Sequence, residues 1–238
     1  MAKRQKEGRR IKSLSPLTSL IPYIMVERND SQNHIHDSFE ITKIEEMIRE
    51  MRQEGYDSIG VLHFIIGSYV RMVSQRPQVN RFIRGQKFYA RNGIIVNMAI
   101  KRTMSLEENE TTIKMKFKPT DTIYDVYKTI NDAINEGING PTDADGAAKI
   151  INYIPGLLKK FTVWFLKMLD YFGLIPNSLI EASPFHGSMF ITNMASLNIP
   201  PILHHLYNFG NVPLFFAFGA KRMDVTYKRN GEPVMRKV

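Results

Sequence analysis

Six histidines and no cysteines set the limits of what the side chains of this sequence can do. His34 and His36 lie two residues apart with Asp37 alongside, and His204 and His205 are adjacent. Neither pair has a third ligand at a spacing that closes a tetrahedral zinc site. Adjacent residues on a strand also point to opposite faces. Both pairs are read as non-ligating, and no metal is expected. The absence of cysteine excludes disulfides, thiolate metal sites and cysteine nucleophiles, and is compatible with a reducing cytoplasm. No G-x-S-x-G elbow, G-x-G-x-x-G loop or G-x-x-x-x-G-K-[ST] loop occurs, so serine hydrolysis and the common nucleotide loops have no support.

The elements that must position any site alternate between helix and strand. Thr42 and Glu45 form a capping-box pattern, and Ile44, Met47, Ile48 and Met51 follow at helical spacing, after a strand end at Phe39-Glu40-Ile41. A second helix starts from Asp57 or Ser58, carries Ile59, Leu62, Ile65, Ile66, Tyr69, Val70 and Val73 inward, and ends at Pro77. Pro16 and Pro22 read as breakers, with a short helix beginning near Ile24. Asn92-Gly93 between two apolar runs predicts a hairpin. Thr112 to Phe117 alternates as a strand. Asp121 to Ile134 has helical periodicity, Glu136 to Gly146 reads as a loop, and a long apolar helical region runs to Phe172. Met189 to Ala195 and Val212 to Gly219 are strand candidates, the second apolar enough to be buried on both faces. A last hairpin spans Thr226 to Arg236 with Asn230-Gly231 at its tip. Mixed helix and strand in one chain of 238 residues predicts a single α+β domain, a two-layer sandwich of helices packed on a mixed sheet.

Charge is uneven. Of a net +9, much sits in Lys3, Arg4, Lys6, Arg9, Arg10 and Lys12, against the single acid Glu7. Residues 1–12 are read as a solvated, disordered basic tail and 13–238 as the domain. A basic surface suits anionic partners, either nucleic acid or coenzyme A. The tail has no interleaved aromatic on which bases would stack, so nucleic acid is not expected. No apolar core of roughly 7–15 residues follows the basic start, so it is not a signal peptide. Ile150 to Pro176 is the most apolar stretch. Lys159, Lys160, Lys167, Asp170 and the Pro155-Gly156 break keep it from being the span of about 20 mostly uncharged residues that a bilayer needs. It reads as a buried or interface helix, and no membrane partner is expected.

Gly187 to Gly219, GSMFITNMASLNIPPILHHLYNFGNVPLFFAFG, resembles the G-T-F-T-I-S-N-L-G segment, Pro-containing link and apolar strand of 2-oxo-acid dehydrogenase acyltransferases. These enzymes share a fold with the chloramphenicol acetyltransferases. Gly187, Ile191 and Asn193 match identically, and Thr192 falls on the family's serine. Met25-Val26-Glu27 resembles R-M-V-E-S, Glu40-Ile41-Thr42-Lys43-Ile44 resembles D-V-T-K-L, and Pro77 with Val79-Asn80 resembles P-x-x-N. The resemblance covers residues 9 to 238 in consistent order. It implies a chloramphenicol acetyltransferase-like sandwich and a homotrimer with sites between subunits. It also implies acyl transfer between a coenzyme A thioester and an acceptor thiol or hydroxyl, with no lipoyl attachment in this chain. Thr192 would donate a hydrogen bond to the tetrahedral oxyanion.

The family's catalytic H-x-x-x-D-G lies shortly beyond the segment that Arg236-Lys237-Val238 resembles, so the final strand and helix are expected to be missing and no base is assigned. His204-His205-Leu206-Tyr207-Asn208-Phe209-Gly210 imitates the H-H-x-x-x-D-G of chloramphenicol acetyltransferases. Phe209 stands in place of the aspartate and cannot support an imidazolium, so this segment is read as a loop between strands. The alternative implied by the same resemblance is a non-catalytic oligomeric or acyl-coenzyme-A-binding protein.

Overall fold

Two capping arrangements start the core helices of this computed structural model, which describes residues 7–101, 111–140, 142, 145–146 and 151–238. Thr122 Oγ1 accepts from the Asp125 N–H at 3.4 Å, and Asp125 Oδ2 accepts from the Thr122 N–H at 2.9 Å. This reciprocal pair opens one helix, Ile123–Asn139. The Gly60 N–H donates to His63 Nδ1 at 3.1 Å at the start of another, Val61–Gln75. The predicted cap at Asp57 or Ser58 is therefore displaced to Gly60. In chain order the helices that lie wholly within the described residues are α1 (Pro16–Ile24), α2 (Thr42–Gln53), α3 (Val61–Gln75), α4 (Ile123–Asn139), α5 (Gly156–Phe172) and α6 (Asn177–Ala182).

The central sheet has the order β5-β4-β6-β7, built from β4 (Ile94–Ile100), β5 (Thr111–Phe117), β6 (Met189–Asn193) and β7 (Phe215–Phe218). β4 runs antiparallel to β5, and β6 runs parallel to both β4 and β7. Register aligns Met115, Val96 and Met189 in one row and Ile113, Met98 and Ile191 in the next. Both rows are buried, and they face Ile66, Tyr69, Val70 and Val73 of α3 and Val126 and Ile130 of α4. This is the expected α+β layering: helices on one face of a mixed sheet. A smaller cluster of Ile48, Met51 and Ile59 seats α2 against α3.

A second sheet has the order β1-β3-β2, from β1 (Gly8–Arg10), β2 (Arg81–Arg84) and β3 (Lys87–Arg91). β8 (Met223–Tyr227) and β9 (Pro233–Lys237) form the predicted terminal hairpin.

Several expectations are corrected. Residues 8–10 of the supposed tail are a strand, paired with β3 because Glu7 anchors them in a buried ionic cluster; residues 1–6 lie outside the described set. Asn92-Gly93 is not a hairpin tip but the passage between sheets. The Asn92 N–H donates to the Glu7 carbonyl, and Asn80 Nδ2 donates to the Gly93 carbonyl. The actual turn is Gly85-Gln86, where φ is +52° and +57°, the left-handed pair that a two-residue hairpin of right twist requires. Pro16 starts α1 rather than breaking it, since a first-turn proline forfeits no helical bond. Phe39-Glu40-Ile41 is not a strand end, and Thr42 does not cap α2 through its side chain; its hydroxyl donates to Glu40 Oε1 instead. Helix α4 continues to Asn139, into the predicted loop, and positions 141, 143 and 144 of that loop lie outside the described residues. β7 is half-buried at a sheet edge rather than buried on both faces, because β6 is its one partner among the described strands. In this single chain α5 has no buried residue at all.

Candidate functional site

Strand β6 begins where the backbone comes closest to its neighbour. A Cβ on Gly187 would meet Asn97 Nδ2 at 2.6 Å and the Ile95 carbonyl at 3.2 Å. Only glycine lets the chain approach β4 this closely, and the Ser188 N–H then donates to the Ile95 carbonyl at 2.7 Å. The strand ends at Asn193, whose Oδ1 accepts from the Ser196 N–H at 3.2 Å and starts a 3₁₀ turn, Met194–Leu197. Gly187 and Asn193 therefore have structural reasons to match the family pattern. Thr192 lies between them.

Alternation sends Met189 and Ile191 into the core, which leaves Phe190 and Thr192 on the opposite sheet face. Thr192 is paired in register with Ala217 and is 9% exposed. Beside it Phe190 stacks on Phe215 at 5.4 Å, and Phe215 stacks on His204 at 4.5 Å. Thr192 does not line any of the three described clefts of the isolated chain.

The largest of these clefts, about 700 Å³, lies next to this aromatic stack. Arg28, Arg84, Lys167, Asp170, His204 and Phe215 are among its walls. Arg28 donates from Nη1 to the Phe209 and Gly210 carbonyls at 3.2 and 2.8 Å, and from Nη2 to the Val212 carbonyl. It thereby fixes the loop that carries His204. His204 and His205 lie on this irregular loop rather than on a strand, so their rings stack at 4.7 Å instead of diverging. The loop assignment of this segment holds. Among the described residues, no three histidine, aspartate or glutamate side chains converge as a metal site.

The sequence reading missed a buried ionic cluster behind the cleft. Glu7 pairs with Arg84 and, at 3.4 Å, with Arg91. Asn211 Nδ2 donates to Glu7 Oε1 at 3.0 Å, and Arg91 Nη2 donates to Asn211 Oδ1 at 2.8 Å. Asp170 Oδ1 lies 3.6 Å from Arg84 Nε and 3.3 Å from His186 Nε2, while Ser183 Oγ lies 2.8 Å from His186 Nδ1. Burial pushes the Arg91 guanidinium down to about 9 and lowers Arg84 and Arg28 as well, with Asp170 opposing both of the latter shifts. Burial also holds His186 below its ordinary value, against the pull of Asp170. The cluster ties β1, β2, β3 and α5 to the start of β6. Its one local signal was the isolated Glu7 in a basic run; its other members come from distant parts of the sequence.

No family model matches the sequence, and no curated protein matches it. Solved structures do. A probable dihydrolipoamide acetyltransferase from Listeria monocytogenes superposes with a TM-score of 0.50 at 13% identity, covering 96% of this chain and 82% of that one. The cubic core of the pyruvate dehydrogenase multienzyme complex superposes with a TM-score of 0.52 at 9% identity, covering 95% of this chain and 79% of that one. The chain has the fold of a 2-oxo-acid dehydrogenase acyltransferase catalytic domain, at a sequence distance that shows the fold alone.

Proposed function

We propose that this chain is an acyltransferase of the 2-oxo-acid dehydrogenase type, moving an acyl group between coenzyme A and an acceptor thiol or hydroxyl, and that it works as a homotrimer. The observation that carries this reading is a fold shared with acetyltransferase structures over nearly the whole chain, with Thr192 on the strand that the family motif occupies. In the transfer, the acceptor oxygen or sulfur attacks the thioester carbonyl and loses its proton to a base. The tetrahedral oxyanion then collapses and expels the coenzyme A thiolate. Thr192 donates its hydroxyl proton in a hydrogen bond to that oxyanion. The resemblance assigns no residue of this sequence as the base. Two features support the substrate and assembly. The cleft walls carry Arg28 and Arg81, which suits a polyphosphorylated cosubstrate. β7 offers an aromatic edge, on which a further strand can add.

The near-burial of Thr192 in the isolated chain favours a second reading: an oligomeric protein of this fold that binds acyl-coenzyme A without turnover. Calorimetry with acetyl-coenzyme A, run beside a transfer assay, separates the two. The first reading expects turnover that drops about 10²–10³-fold in Thr192→Val, the usual cost of losing one oxyanion donor, and largely survives in Thr192→Ser. Binding without turnover selects the second. Neither binding nor turnover overturns both.

A further inference from the structure

Helix α5 touches the body of the protein through one side and through its C-terminal end. Asp170 reaches Arg84 and His186, and Tyr171 Oη donates to Gln86 Oε1 at 2.8 Å. Leu166 and Leu169 are half-buried on that side. The opposite side is an open apolar ridge at i, i+4, i+7 spacing: Leu157 is 90% exposed, Phe161 58% and Trp164 57%, with Phe165 and Phe172 beside them. The ridge is continuous, because Phe161 meets Trp164 at 5.6 Å and Phe165 at 6.3 Å between ring centroids. Lys160 and Lys167 are exposed along one flank of the ridge. Asp170 is the sole acid of the helix and is turned inward. The outward side therefore presents aromatics and cations without a carboxylate.

We propose that α5 docks this protein onto an anionic phospholipid surface, lying in the plane of the headgroups. Its 17 residues extend about 26 Å, and no described helix is long and apolar enough to cross a membrane. A helix with tryptophan and phenylalanine on one side and lysines beside them is the pattern of an interfacial helix. Lysines at the ridge edge pair with lipid phosphates, and the chain's net +9 adds long-range attraction. A two-fold α5–α5 contact is the poorer occupant, because it would bring Lys160 and Lys167 up to their own counterparts, with no free acid on the helix to pair them. A contact of α5 with another face of a second copy is told apart by solution mass. The proposal extends beyond the acyltransferase reading and does not depend on it.

Trp164 is the sole tryptophan of the sequence, so the unmodified chain reports on its own docking. Vesicles of phosphatidylcholine with phosphatidylglycerol should blue-shift its emission and co-sediment the protein. Lipids brominated along the acyl chain should quench it. Pure phosphatidylcholine vesicles and high salt should weaken all three signals. Reversing Lys160 and Lys167 to glutamate should lower partitioning at least about tenfold. Phe161→Glu should abolish it while leaving the circular dichroism spectrum unchanged. Unaltered emission and no quenching with the anionic vesicles overturn the proposal. So does a solution mass that falls on Phe161→Glu with no vesicle binding by the parent chain, which would make α5 a contact between copies.

Discussion

Glu7 Oε1 lies 3.4 Å from Arg91 Nη1, with the rest of its carboxylate engaged by Arg84, and all three side chains are buried. A carboxylate from the beginning of the sequence neutralises two guanidiniums that burial has stripped of water. Removing one partner of such a group leaves uncompensated buried charge, which costs about 3–5 kcal/mol. Glu7→Gln should lower the free energy of urea unfolding by that order. The loss should vary little with salt, because buried pairs are poorly screened. A fully solvated tail would show no change.

The His186 imidazole, held between Ser183 and Asp170, makes stability pH-dependent. Burial lowers its folded pKa below the ordinary 6.5. The unfolded chain therefore binds the proton first as pH falls. Stability is full above about 6.5 and declines as pH drops from there toward the folded pKa. His63 is lowered for the same reason and contributes in the same direction. Melting temperatures across pH 7 to 5 should fall less steeply in His186→Asn than in the parent chain.

Gly187→Ala tests the close approach of β6 to β4. The added methyl meets the buried Asn97 side chain and the Ile95 backbone. Neither can move freely, so about 1–3 kcal/mol of destabilisation is expected in chemical denaturation.

The two faces of β6 should separate stability from chemistry. Ile191 is fully buried in the core, and Ile191→Ala should cost about 2–5 kcal/mol. Thr192→Val keeps its volume on the opposite face. It should change the unfolding midpoint far less than Ile191→Ala, while any acyl transfer measured on the same preparation falls.

The sequence by itself determined what was local and periodic. The helical spacing of Val126 and Ile130, the alternation of Ile113, Met115 and Phe117, and the Asn230-Gly231 turn all fold as read, because neighbours in sequence decide them. The family pattern around Thr192 led to the right architecture. Tertiary structure decided what depends on distant partners. Asn92-Gly93 is a competent turn locally, yet β4 goes to β5 and β6, whose apolar rows complete its own. Gly8–Arg10 reads as tail and becomes a strand because Glu7 finds Arg84 and Arg91 across more than seventy residues. The apolar α5 reads as a buried or interface helix, and in the single chain it stands outward. Hydrophobicity states what a segment avoids, and only the packed chain shows whether the cover comes from within the molecule or from outside it.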